Sequence, residues 1–173
     1  MQEVEETQVE YKARILSYQE GEDPLRLQIA APIRVRSLVR TCSSEDLRRR
    51  PAPEKWCINE IAAHLADDEL VGAYRIRLIL SACGTSIQAF DQDVWSRMGR
   101  YSEIRIDASL DVFQTLRRAN LRLLRSLSDE EWQMYGVHAE RGRESIHDIA
   151  MYYAGHDINH FRQIEAILEG TDM

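Results

Sequence analysis

The sequence contains little that would interrupt helices and little that would suit a membrane or a nucleic acid. Only eight glycines and four prolines occur among its 173 residues, and no apolar run reaches the roughly 20 residues that a transmembrane helix requires. The formal net charge is −7, whereas nucleic-acid binding calls for a basic stripe. We therefore expect a globular protein that neither crosses a membrane nor binds nucleic acid.

Two further absences concern the cellular compartment. The opening MQEVEETQVE has neither the basic start nor the apolar centre of a secretory signal. The three cysteines, Cys42, Cys57 and Cys83, include no CxxC pair, which disfavours a zinc knuckle or a dithiol redox motif. We interpret them as reduced thiols in a cytoplasmic protein.

Charge divides the chain unevenly. Residues 1–23 contain seven acidic and two basic side chains, so we interpret them as an acidic N-terminal extension. The remaining residues, 24–173, are long enough to bury one sizeable core. We expect a single domain there.

Apolar residues recur with helical spacing in four long segments, and no stretch shows sustained apolar/polar alternation. The predicted helices span about 24–41, with Pro32 inside or in the first turn, then 58–82, 109–127, and a last helix that begins after Ser145 and ends at Gly170. A long irregular connection, residues 84–106, joins the second and third helices. The fold class predicted is all-α, a four-helix bundle.

The last helix carries two histidines on its inward face. His156 and His160 are four residues apart, so their Cβ atoms lie about 6 Å from each other and both rings can reach one point in front of the helix. Burying two neutral imidazoles requires two sets of partners, and one divalent ion satisfies both. The alternative is a pair of core histidines that are hydrogen-bonded to protein groups.

A metal site needs at least one more ligand. His64 is the best candidate, because it lies near the inward stripe of the second helix. His138 lies in the loop GVHAERG and could reach the site, so it is kept in reserve.

Several acidic residues have two interpretations. Glu69 and Asp157 lie on inward faces and either accept the second N–H of a ligand imidazole or pair with an inward arginine such as Arg75 or Arg117. Asp67 and Asp68 point towards the polar side of their helix and are interpreted as surface residues.

The long connection includes Asp91, Asp93 and Trp95. A compact domain rarely keeps so long an irregular segment without a use. These residues either cover the metal cavity or close the end of the bundle.

Several motifs occur in an order that is specific when they are taken together. They are LRRRPAPEKWCINEIAAHLADDE, YRIR, FDQDVW, DEEW, GVHAERG and AGHDINHFRQIEAI. With these, residues 25–169 resemble the DinB/YfiT-like superfamily, and most closely its DinB-type subgroup. One departure is Cys57, where the family usually has serine; it either weakens the helix cap or is a thiol activated by the helix N-terminus.

The resemblance implies a four-helix bundle, a homodimer, and a divalent metal such as nickel or zinc held by His64, His156 and His160. Such a site would suit an enzyme that activates water or a thiol for a small-molecule substrate, either by hydrolysis or by thiol S-transfer or isomerisation with a low-molecular-weight thiol as cosubstrate. The alternative is a metal-dependent sensor or binding protein whose metal is structural. In that case a fourth protein ligand, His138 or Asp157, would close the site.

Overall fold

The computed structural model describes residues 6–171. Its elements are the helices α1 (Gln8–Ser17), α2 (Pro24–Val39), α3 (Ser44–Arg48), α4 (Ile58–Ser81), α5 (Gln92–Met98), α6 (Ile106–Leu124), α7 (Asp129–Trp132) and α8 (Ile146–Glu169), and the strands β1 (Ser86–Ile87), β2 (Tyr135–His138) and β3 (Gly142–Ser145). A single 3₁₀ turn, Tyr101–Glu103, precedes α6. None of the helices in this part of the chain combines the length and apolar character that crossing a bilayer requires.

Four helices form the bundle, as the periodicity predicted. Helix α4 packs on α6 and α8, and α2 packs on the other sides of α6 and α8, so the four enclose one interior. Their ends lie within a few residues of the predicted ones. Ser145 caps α8 by accepting a hydrogen bond from the Asp148 N–H, and Gly170 ends that helix in the left-handed conformation, with φ of 68°.

Pro32 lies inside α2. Because proline has no amide hydrogen, the carbonyl of Gln28, four residues earlier, receives no helical hydrogen bond from it. The side chain of Arg117 on α6 donates to this carbonyl instead, at 3.1 Å. Pro32 therefore leaves the Gln28 carbonyl free to accept a hydrogen bond from a buried arginine.

The core consists of two apolar clusters separated by polar side chains. One cluster includes Ile61, Phe113 and Ile164, and the other includes Ile79 and Ile146. On α4, α6 and α8, buried polar residues occupy the positions between the two clusters. This polar layer contains the histidines.

Several elements lie outside the four predicted helices, including the short helices α3 and α7 and helix α5, which lies in the connection that was predicted to be irregular. Residues 8–17, within the acidic N-terminal segment, form α1, which packs on α8 with Ile15 fully buried. The domain boundary at residue 24 stays a prediction. Three short strands form a small sheet, in which β2 pairs parallel with β1 and antiparallel with β3. Segments of two to four residues are too short to show the alternation from which strands are predicted.

Candidate metal centre

Three imidazoles from two helices converge in the polar layer. His64 comes from α4, and His156 and His160 come from successive turns of α8. The Nε2 atom of His156 lies 3.3 Å from Nε2 of His64 and 3.1 Å from Nε2 of His160. Ligand atoms from all three rings lie within 4.8 Å of one another, and each side chain is buried. The structure thus brings together the three histidines that the sequence singled out.

The outer nitrogens of two rings contact acceptors. Nδ1 of His160 lies 2.7 Å from Oε1 of Gln163, and Nδ1 of His156 lies 3.2 Å from Oδ2 of Asp68. These oxygens favour the proton on Nδ1 of each neutral ring, so that Nε2 keeps its lone pair. The Nε2 lone pairs of His156 and His160 then face each other with no proton between them. A cation at this point would remove that mismatch, so the residues present fit a metal ion.

Burial keeps the three imidazoles neutral. Desolvation lowers the pKa of His64 and lowers that of His156 well below its ordinary value, with the neighbouring His160 and His64 adding to the effect on His156. Desolvation also lowers the pKa of His160 to about 3. Neutral imidazole is the form that binds metals, so protons would not compete for these ligands at neutral pH.

Aromatic rings enclose the cluster. The Trp56 ring lies 4.8 Å from the His64 ring and is stacked on the His160 ring at 6.4 Å. Tyr152 is stacked on His156 at 5.8 Å. These flat neighbours restrict the orientations of the imidazoles.

Asp68 was misassigned from sequence. It is buried and contacts His156, whereas helical position alone suggested the surface. The signal that could have found it is its spacing, because Asp68 follows His64 by four residues and therefore lies on the same helix face. Gln163 was also missed, although its spacing of three residues from His160 places it on the same helix face.

Glu69 and Asp157 contact an arginine rather than the histidines. The Arg117 guanidinium donates from Nε to Glu69 at 2.8 Å, and from its two terminal nitrogens to Asp157 at 2.6 and 3.0 Å. Of the two interpretations open from sequence, the structure shows the pairing with an inward arginine. The partner is Arg117 and not Arg75.

A cavity of about 60 Å³ adjoins the cluster, and His156 and Asp68 form part of its wall. His138, at the end of β2, lines it too and contacts Arg75 at 3.2 Å. Burial, followed by the charges of Arg141 and Arg75, lowers the pKa of His138 to about 4.

The long connection reaches this cavity through residues other than those predicted. Phe90 and Gln92 line the cavity, whereas Asp91, Asp93 and Trp95 are exposed and lie outside its wall. Asp91 instead caps α5 by accepting the N–H groups of Asp93 and Val94. Trp95 packs its ring against Phe90 at 4.6 Å, so it supports a residue of the wall.

Cys57 caps α4 and is fully buried. Glu60 accepts its backbone N–H at 2.9 Å. Burial raises the pKa of the Cys57 thiol, which opposes activation by the helix N-terminus. The structure therefore favours the interpretation that Cys57 weakens the helix cap over that of a reactive thiol.

Comparison with known proteins agrees with the fold and the cluster. The family model of the DinB superfamily matches residues 30–164. The chain belongs to the DinB superfamily, which confirms the resemblance seen in the sequence.

Individual relatives extend this match. A protein of Oceanobacillus iheyensis named "putative metal-dependent hydrolase" is 26% identical over 117 residues, which cover 68% of this chain and 67% of that protein. The similarly named YfiT of Bacillus subtilis is 22% identical over 160 residues, covering 90% of each chain. The solved structure of YfiT, described as a probable metal-dependent hydrolase with an unusual four-helix bundle topology, superposes with a TM-score of 0.79 at 19% identity, covering 99% of this chain and 95% of that one. This structural likeness establishes the four-helix bundle fold.

Proposed function

We propose that this protein is a metal-dependent hydrolase of a small-molecule substrate, with one divalent ion held by His64, His156 and His160. The observation that carries the proposal is the convergence of three buried, neutral imidazoles whose Nε2 atoms face one another. The names of the two relatives given above, both "putative metal-dependent hydrolase", support the same function.

The donor set suits a transition metal. Imidazole nitrogen is a ligand for nickel and zinc, whereas calcium and magnesium prefer oxygen. We therefore expect nickel or zinc, as the resemblance implied.

The surroundings of the cluster favour chemistry over a purely structural metal. A structural site is closed by a fourth protein ligand. Of the two residues expected in that role, His138 contacts Arg75 and Asp157 is bound by Arg117. Three ligands leave room for water or substrate.

Each residue of the site then has a defined task. His64, His156 and His160 bind the ion, Asp68 and Gln163 fix the orientation of two imidazoles, and Trp56 shields the cluster from water. A bound divalent cation would supply Lewis acidity, which acidifies a water molecule and polarises a carbonyl group. The same acidity would also activate a thiol, so thiol S-transfer is the second reaction to test.

Metal content tests the ligand assignment. We expect the separate variants His156→Ala and His160→Ala to lose bound metal, measured by elemental mass spectrometry, while circular dichroism shows unchanged helix content. His147→Ala is the matched control, because His147 is exposed on the same helix and should not affect metal content. Full metal occupancy in the α8 variants would refute the assignment.

An activity screen tests the reaction. Metal-loaded protein is offered esters and amides in water, and separately electrophiles with glutathione, bacillithiol or mycothiol. Hydrolysis that disappears in His160→Ala would support the proposal. Thiol transfer without any hydrolysis would replace it with the second reaction.

A further inference from the structure

A second arginine in the bundle is buried without a carboxylate partner. The Arg75 side chain on α4 is 6% exposed. None of the ion pairs formed among residues 6–171 includes it. Its polar contacts are one backbone carbonyl, that of Gln88 at 3.0 Å, and Nε2 of His138 at 3.2 Å. Burying a guanidinium with so few acceptors is costly.

The contact between Arg75 and His138 places two donors face to face. The Nδ1 atom of His138 accepts the backbone N–H groups of Glu140 and Arg141, at 3.2 and 3.4 Å. A neutral imidazole has one proton, which then belongs on Nε2. That N–H points at Arg75, which can only donate. An oxygen atom placed beside both groups would accept from each.

Both donors line the cavity next to the histidine cluster, together with His156. With a volume of about 60 Å³, it has room for a few water molecules or one small polar group. Arg141 lines it too, but its guanidinium is held by Glu144 at 2.8 and 2.9 Å. Arg75 is therefore the cation available to a ligand.

The sign of the surrounding charges limits what this ligand can be. The wall also contains the acidic side chains of Asp68 and the exposed Glu140, which would repel a doubly charged group more strongly than a singly charged one. A planar guanidinium matches the two oxygens of a carboxylate. The cavity thus favours a single negative charge spread over two oxygens.

We propose that Arg75 and His138 form a subsite for a carboxylate group of the substrate. The bound carboxylate accepts from the Arg75 guanidinium and from the Nε2–H of His138. This inference deepens the proposed function and rests on it in one respect, namely that the carboxylate belongs to the molecule acted on at the histidine cluster. Arg75 and His138 then determine which substrates enter the site.

Acetate binding tests the subsite. Acetate is titrated into the protein as purified, at constant ionic strength, and binding is followed by the side-chain Nε–H signals of arginine in NMR spectra. Arg75→Met removes the charge and the donors. Arg77→Met is the matched control, because Arg77 lies two residues away on the same helix and is exposed.

We expect saturable binding in the wild-type protein and in Arg77→Met, and binding weaker by about tenfold or more in Arg75→Met, as the loss of a charge-assisted hydrogen bond implies. The thermal midpoint of Arg75→Met should equal or exceed that of the wild type, because an unpaired buried charge is removed. A purely structural arginine would instead lower it. Arg75→Lys keeps the charge but not the planar guanidinium that can donate two parallel hydrogen bonds to a carboxylate, so it should bind acetate with intermediate affinity.

Three results would overturn the proposal. They are equal acetate affinity in Arg75→Met and Arg77→Met, tighter binding of inorganic phosphate than of acetate, and loss of folding in both Arg75 variants. His160→Ala separates this inference from the proposed function, because His160 does not line the cavity. Acetate binding that persists there after the metal is lost supports the subsite independently of the metal. A His160→Ala protein that keeps its metal contradicts the proposed function alone.

Discussion

Arg117 connects all four helices of the bundle, so its removal should be the most destabilising charge deletion in the interior. From α6 it binds Glu69 on α4, Asp157 on α8 and the carbonyl of Gln28 on α2. Its side chain is 2% exposed. In Arg117→Met, four hydrogen bonds disappear and two buried carboxylates lose their cation.

The expected loss follows from what remains behind. Removing one partner of a buried ion pair typically costs about 3–5 kcal/mol, because the other charge stays buried and uncompensated. Asn120 still donates to Glu69 at 2.9 Å, whereas the side chain of Asp157 has no other hydrogen-bond donor among the contacts of residues 6–171. Asp157 should therefore account for most of the loss.

The loss of stability in Arg117→Met should depend on pH in a characteristic way. Burial already raises the pKa of Asp157 to about 6, although Arg117 opposes this, and the two carboxylates raise the pKa of Arg117 in turn. Without Arg117 the pKa of Asp157 rises further. A carboxylate whose folded pKa lies above its unfolded value of about 4 stabilises the folded state at low pH and loses that contribution as the pH rises through the folded pKa. The deficit of Arg117→Met should therefore be largest near pH 8 and shrink towards pH 5.

Urea unfolding at several pH values measures this. Arg118→Met, at the exposed neighbouring position, is the control and should change the free energy of unfolding by less than about 0.5 kcal/mol. A triple variant that combines Arg117→Met with Glu69→Gln and Asp157→Asn should recover part of the lost stability, since no buried charge remains. A loss below about 1 kcal/mol in Arg117→Met, or a triple variant no more stable than the single one, would refute the reasoning.

Three further predictions concern the site and its supports. Asp68→Ala should weaken metal binding by about 10–100-fold, because it removes the acceptor beside Nδ1 of His156; competition with a chelator measures this, and unchanged affinity would contradict the orienting role. Gly155→Ala should displace α1 and lower the thermal midpoint, because a Cβ there would clash with the Ile15 carbonyl oxygen; an unchanged midpoint would show that the two helices do not pack so closely. Burial lowers the pKa of His138 to about 4, so as the pH falls from 6.5 to 4 the unfolded state binds a proton at this residue that the native state does not, and wild-type stability should decrease. His138→Gln should flatten that decrease in urea unfolding, and parallel curves would argue against a buried neutral His138.

Much of the bundle could be predicted because its signals are local. Helical spacing and a capping serine gave α8 almost to the residue. The histidine pair could be predicted because a spacing of four residues fixes two side chains on one face. The assignment of His64 as the third ligand was the weakest of these inferences. It required His64 to lie at the same level along the bundle as the pair on the last helix.

The parts that sequence missed depend on contacts between distant segments. Helix α1 is joined to other elements by polar side chains, such as Arg14 to Asn159 at 2.8 Å, whereas the charge count of residues 1–23 showed only an acidic segment. Strand β2 owes its identity to pairing with β1 and β3. Charge alone does not distinguish Asp68 from Asp67. The spacing of four residues places Asp68 on the same helix face as His64, and the packing of α4 on α8 then brings it to His156.

The two buried arginines show how packing assigns different tasks to the same residue type. Arg117 meets two carboxylates and a carbonyl that Pro32 leaves free, so its charge is neutralised within the protein and it ties the helices together. Arg75 meets one carbonyl and a histidine that is itself a donor, beside a cavity that reaches His156. Acidic side chains are present near both arginines, since Asp68 and Glu140 line the same cavity as Arg75. The difference is that, within residues 6–171, Arg117 forms ion pairs with its carboxylates and Arg75 does not. Protein groups therefore neutralise the charge of Arg117, whereas Arg75 lines the cavity at which we propose that a substrate carboxylate binds.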